Sequence, residues 1–148
     1  MADQIALRLV SGNFYLTADA GGGRTTDPTN DPIHSDRKVS QGISDWEKFR
    51  LMPAGSGTYA LMTFDASHYL SADQGGGKST DALHTDATAI GPWETFTLDF
   101  QSDGSYGIRT ANGNYVSAVG GRHKDAVRTV QTTVGAAEKF WIIVAMPL

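Results

Sequence analysis

Short runs of alternating apolar and polar residues fill this chain. Ile5–Leu9 (IALRL), Phe14–Ala18 (FYLTA), Lys48–Met52 (KFRLM), Tyr59–Phe64 (YALMTF), Thr95–Phe100 (TFTLDF), Tyr106–Thr110 (YGIRT), Asn114–Ala118 (NYVSA) and Lys139–Val144 (KFWIIV) each read as a strand. Turn signals such as SGN, AGSG, SDG and NGN separate them. No segment sustains an apolar 3.6-residue period over three turns. The pattern predicts an all-β protein with no long helix.

The pattern recurs. GNFYLTADAGGGR at Gly12–Arg24 returns as SHYLSADQGGGK at Ser67–Lys78, and a worn copy, GNYVSAVGGR, runs from Gly113 to Arg122. Each copy is followed by an acid and aromatic signature: DWEKFRL (Asp45–Leu51), PWETFTL (Pro92–Leu98) and AAEKFWI (Ala136–Ile142). Glu47, Glu94 and Glu138 are spaced by 47 and 44 residues; Tyr15, Tyr69 and Tyr115 by 54 and 46. A repeat of this period marks one supersecondary unit used three times. Three units near 4–55, 56–104 and 105–148, each with about four strand signals, are too few for a propeller. They predict a single domain, a β-trefoil: a barrel with pseudo-threefold symmetry, closed so that few strand edges stay free. Its expected core holds Leu7, Leu9, Leu61 and Ile108, then Leu16, Leu70 and Val116, then Phe49, Phe96 and Phe140. Leu51, Leu98 and Ile142, two residues further on, share the face of the phenylalanines.

Composition narrows the function. At 148 residues the chain can bury a core without covalent staples, and it has no cysteine for a disulfide or thiolate site. Net charge is −4 and the basic residues are scattered, so the footprint of a nucleic-acid binder is missing. No long apolar run suggests membrane insertion. Together these favour a cytoplasmic protein, or a secreted one if the chain is a piece of a longer protein.

The stretch YLSADQGGGKSTDALHTDATAIGPWETFTL resembles the repeat of fascin-like β-trefoil domains, in which a Tyr-Val-Ser-Ala segment and a Gly-rich turn precede a Gly-Pro-Trp-Glu-x-Phe strand start. The resemblance is strongest in the second unit, clear in the first and weak in the third. It implies the trefoil fold and leaves two functional branches, carbohydrate binding and actin bundling.

Units one and two share more than a core. Both carry an Asp (Asp19, Asp73), three glycines, a cation (Arg24, Lys78) and a Thr-Asp step (Thr26–Asp27, Thr80–Asp81). Both have an apolar-His-hydroxyl-Asp string, IHSD with His34 and Asp36, and LHTD with His84 and Asp86. Both have Trp-Glu, at Trp46–Glu47 and Trp93–Glu94. Unit three has Val119 for the Asp, VRTV for the string and Ala137 for the Trp, but keeps Glu138. An exposed indole beside fixed carboxylates and an imidazole suits a sugar. The ring offers its electron-rich face to pyranose C–H groups, and carboxylates accept from paired hydroxyls. Other roles stand beside these. Tryptophan also serves as a partly buried strut, Glu as an acceptor for backbone N–H groups, and triple glycine as a tight turn needing positive φ. The histidines lack a metal-ligand spacing, so no zinc site is expected. Copied carboxylates suggest duplicated binding sites rather than one asymmetric active centre, and no enzyme or cofactor is expected. The expectation is a glycan- or polysaccharide-binding protein with two competent sites and a degenerate third. The rival is an actin-binding protein, disfavoured by the lack of basic patches; an inhibitor or purely structural trefoil ranks third.

Overall fold

The computed structural model describes residues 4–25 and 30–144; Thr26 and Asp27 of the first Thr-Asp step, and 145–148 at the end of unit three, lie outside the described residues. Four strands fall in each repeat: β1 (Gln4–Leu9), β2 (Phe14–Ala18), β3 (Ile33–Lys38) and β4 (Phe49–Pro53); β5 (Tyr59–Met62), β6 (Tyr69–Ala72), β7 (Leu83–Ala87) and β8 (Thr97–Phe100); β9 (Tyr106–Arg109), β10 (Tyr115–Ala118), β11 (Val127–Gln131) and β12 (Phe140–Val144). The only helical pieces among the described residues are single 3₁₀ turns, and none is long and apolar enough to cross a membrane.

All pairing is antiparallel. β1 joins β4, β4 joins β5, the Tyr59–Phe96 bridge joins the second unit's outer strands, β8 joins β9, β9 joins β12, and β12 returns to β1. That ring of six strands closes a barrel. The remaining strands pair as hairpins β2–β3, β6–β7 and β10–β11, each with a register shift one residue past its tyrosine. A six-stranded barrel with three hairpins is the β-trefoil that the repeats predict.

A second tie between the units is one the strand pattern does not show. The last residues of each Gly-rich turn pair with the third strand of the next unit. Gly23 N–H donates to Thr85 O at 2.7 Å, and Thr85 N–H to Arg24 O at 2.9 Å. Gly77 and Lys78 hold Thr129 in the same way, and Gly121 and Arg122 hold Ser35, so the cycle returns from unit three to unit one. The hydroxyls of Thr85, Thr129 and Ser35 accept from the N–H groups of Arg24, Lys78 and Arg122 at 3.0, 3.0 and 3.2 Å. All three residues are buried. The middle glycine is what lets each of the first two turns approach so closely. At Gly22, with φ of +123°, an added Cβ would sit 2.2 Å from Thr63 Oγ1; at Gly76, φ +119°, it would sit 2.3 Å from Thr110 Oγ1. The triple glycines therefore serve turn geometry and close packing between units.

Phe49, Phe96 and Phe140 are fully buried in one core, ringed by Leu7, Leu61, Ile108, Leu16, Leu70, Val116, Ile33, Leu83 and Val127. Leu51, Leu98 and Ile142 pack on this core from the expected face but are only partly buried. With Tyr59 and Tyr106 they line a cavity of about 300 Å³, so the apolar face thins toward solvent there. Truncating the core should therefore cost more than truncating this rim. Phe96→Ala is expected to lose about 3–5 kcal/mol of stability and Leu98→Ala distinctly less. Urea unfolding measures both; equal losses would contradict the described burial.

Candidate functional site

The Trp-Glu pair sits on a 3₁₀ turn leading into the last strand of its unit, at Asp45–Glu47 and Pro92–Glu94. Its two side chains part company. The indoles of Trp46 and Trp93 are turned outward, each 46% exposed. Each lies against the Gly-rich turn of its own unit: a Cβ on Gly21 would be 3.6 Å from Trp46 Cδ1, and one on Gly75 would be 3.6 Å from Trp93 Cδ1. The glycines thus brace one edge of each ring while leaving the rest accessible.

The glutamates turn inward. Glu47 Oε1 accepts from Ser44 N–H at 2.9 Å and Oε2 from Thr17 Oγ1 at 2.7 Å. Glu94 accepts from Gly91 N–H at 2.8 Å and Ser71 Oγ at 2.5 Å; Glu138 accepts from Gly135 N–H at 2.8 Å and Ser117 Oγ at 2.5 Å. All three are buried. Each carboxylate caps its 3₁₀ turn and ties it to the hydroxyl of the hairpin's first strand. This corrects the expectation of Glu47, Glu94 and Glu138 as sugar acceptors. Their oxygens carry internal hydrogen bonds, which explains why Glu persists in unit three after the Trp is gone.

The other candidate residues of unit one converge. Asp19, His34, Asp36 and Trp46 line one cleft of about 300 Å³, with the edge of Glu47 at its wall. Arg37, Gln41 and His123 join them, with Thr17 and Ser44 beside Glu47. Arg37 is held over the cleft by the carbonyls of Gly42 and Gln41, at 3.0 and 2.9 Å, and lies 3.5 Å from Glu47 Oε1. Asp19 pairs with Arg24 at 3.4 Å and lies 3.9 Å from His34 Nε2. His34 is buried and stacks at a tilt against His123 of unit three, with ring centroids 3.8 Å apart. His123 Nδ1 lies 3.3 Å from Asp36 Oδ2, and its Nε2 bonds Asn30 Oδ1. Asp31 fixes the two loops together, accepting from Lys124 Nζ at 2.7 Å and from Asp125 N–H at 2.6 Å.

Unit two repeats the frame with fewer groups. Asp73 pairs with Lys78 at 3.0 Å, His84 is half-buried on β7, and Asp86 is exposed. The strand register puts Ala87 where unit one has Arg37. The 3₁₀ turn Val39–Gln41, which supplies Gln41, has no counterpart in unit two. Unit three presents Val119 and Val130 to solvent in place of the aspartates. Its position equivalent to His34 is Arg128.

Arg37, Gln41 and His123 carry no signal in the repeat, because they are where the repeat fails. Arg37 stands on β3 and is held by the longer loop that follows it in unit one, which also supplies Gln41. His123 follows the clasp residue Arg122, where the other units have Thr25 and Ser79.

No protein-family model matches the chain, and no curated protein matches it in sequence. Solved structures do match its fold. The designed threefold-symmetric protein ThreeFoil aligns with a TM-score of 0.76 at 13% identity, over 95% of this chain and 97% of that one. A mosquitocidal holotoxin aligns with a TM-score of 0.76 at 12% identity, covering 97% of this chain and 17% of the toxin. The Haemophilus ducreyi cytolethal distending toxin aligns with a TM-score of 0.70 at 12% identity, over 99% of this chain and 86% of that chain. Identities this low speak for the β-trefoil alone, and no family model or curated sequence carries the fascin-like resemblance.

The cleft has a pH signature. Burial, then the neighbouring His123, lower the pKa of His34 from 6.5, and together they outweigh the opposing pull of Asp19, Asp36 and the Asp31 backbone. A depressed histidine pKa means that the unfolded chain binds the extra proton first. The stability contributed by neutral His34 is thus present above about pH 6.5 and is lost as the pH falls toward the folded-state value. Urea midpoints from pH 8 to 5 should fall more steeply for wild type than for His34→Gln. Parallel profiles would show that His34 is not held neutral.

Proposed function

We propose that this protein binds carbohydrate, with the unit-one cleft as its principal site and Trp93 as the centre of a second, sparser one. The observation that carries this reading is the pair of exposed indoles, each braced on a glycine turn. In unit one that indole borders a cleft of acceptors and donors. Trp46 offers a flat apolar face for sugar C–H groups. Asp19 and Asp36 accept from hydroxyls, and Arg37 and Gln41 donate to ring and hydroxyl oxygens. The cleft is open and shallow, and its polar groups compete with water, so affinity at one site is low. Two sites on one small body gain by avidity on a multivalent glycan or polysaccharide, by up to about 10² to 10⁴ where geometry allows both to engage. Unit three, with Val119, Val130 and Ala137, lacks both platform and acceptors and is the degenerate copy. The recurrence of a binding frame in two units supports a binding protein rather than a catalyst.

Trp46→Ala should weaken glycan binding by roughly tenfold or more, the effect of removing about 1.4 kcal/mol of aromatic contact. Trp93→Ala should weaken retention on immobilised polysaccharide less, and the double variant should abolish it while keeping the wild-type urea midpoint. Normal binding by the double variant would make both tryptophans struts and remove the ground for the sugar reading. Cosedimentation with F-actin, unaffected by either substitution, would favour the actin-binding branch instead.

A further inference from the structure

The seam between units three and one brings together ligand atoms that the other seams do not. One nitrogen of His34, one nitrogen of His123 and a carboxylate oxygen of Asp36 all lie within 4.8 Å of one another. The geometry points to a binding site for a single divalent transition ion of the zinc class, held by these three side chains with one position left open. The site uses residues of the same cleft but does not depend on the sugar reading.

Hydrogen bonding around the cluster supports this. His34 is 3% exposed, and its Nε2 is buried without a hydrogen-bond partner. A buried imidazole nitrogen left bare is free to offer its lone pair to a metal ion. His123 shows the same polarity. Asn30 Oδ1 can only accept, so His123 Nε2 carries a proton, and in the neutral form of the ring the lone pair of Nδ1 turns toward Asp36 Oδ2, 3.3 Å away. Two acceptors that face each other repel unless a cation lies between them. A proton on His123 would satisfy that pair but would leave His34 Nε2 bare. One divalent ion satisfies all three atoms.

The spacing and donor set agree. Ligands about 2.0–2.1 Å from a tetrahedral ion lie about 3.3–3.4 Å apart, which is the His123–Asp36 separation. His34 is fixed by burial, whereas the side chains of Asp36 and His123 are 42% and 49% exposed and can close the remaining gap. Two imidazoles and one carboxylate suit zinc and its neighbours, and are a poor set for calcium or magnesium, which take oxygen ligands. Three protein ligands leave a fourth position for water or for a hydroxyl entering the cleft. Among the described residues the site is single. Thr25 and Ser79 stand at the positions equivalent to His123, so neither His84 nor Arg128 meets a second imidazole from that position.

Calorimetric titration of Zn²⁺ into the chelator-stripped full chain tests this. The expected result is one ion per chain in the micromolar range or tighter, with Co²⁺ giving the intense visible bands of a four-coordinate site. His123→Gln and Asp36→Asn alter exposed side chains and should keep the wild-type circular dichroism. Each should weaken binding by at least about tenfold, as loss of a ligand must when loss of an outer-shell partner already costs that much. Trp46→Ala and His84→Gln should bind Zn²⁺ as wild type does, whether or not they still bind glycans, which separates this site from the sugar reading. Absent or only millimolar binding, or binding that survives the His123→Gln/Asp36→Asn double substitution or is lost with His84→Gln, would overturn the assignment.

Discussion

The seating of the three hairpins depends on the cyclic clasp in which each unit's Gly-rich turn pairs with the third strand of the next unit. Without it the units would be joined through the barrel pairs β4–β5, β8–β9 and β12–β1, and each hairpin would be held mainly by its own unit. With it, the Gly23–Thr85, Gly77–Thr129 and Gly121–Ser35 contacts join unit one to two, two to three and three to one. A backbone pair can be made at each seam whatever side chains flank it, but the acceptor must fit in a fully buried space. That explains a hydroxyl of minimal size at Ser35, Thr85 and Thr129. The Glu caps add the second tie, binding each 3₁₀ turn to its hairpin.

Once closure is assigned to backbone and hydroxyls, the neighbouring positions are released to vary. His34, His84 and Arg128 stand one residue before the clasp hydroxyl, at the seams, and each takes its surroundings from two units. Symmetry of the scaffold therefore does not mean symmetry of the sites. A longer loop adds Gln41 to the unit-one cleft and holds Arg37 of β3 over it, and His123 crosses from unit three to meet His34. Unit two keeps the indole and the ion pair but gains neither addition.

The trefoil was legible because Phe49, Phe96 and Phe140, and the tyrosines before them, recur at a regular spacing that only a threefold barrel satisfies. The exposed set was partly legible. Trp46 and Trp93 read as platforms because unit three dispenses with them, and they do face solvent. Persistence misled for the glutamates: a residue present even in the degenerate unit belongs to the scaffold, and Glu138 held that clue. His123 was hidden because it lies 89 residues from His34 and repeats nothing. Sequence spacing reveals ligands on one element, whereas these meet only through closure of the ring. Arg37 was obscured in the same way, since its position is an ordinary strand residue until the loop after it folds back.

The central claim is that a carbohydrate stacks on the outward tryptophans. The most direct measurement follows the three indole N–H resonances by ¹H–¹⁵N NMR while a glycan selected on an array is titrated in. Trp141 lies on β12 rather than on a Trp-Glu 3₁₀ turn, and serves as the internal control. The account predicts saturable shifts at Trp46, weaker ones at Trp93 and none at Trp141. An array on which no carbohydrate is retained, or a bound glycan that leaves the Trp46 resonance unmoved, would contradict it.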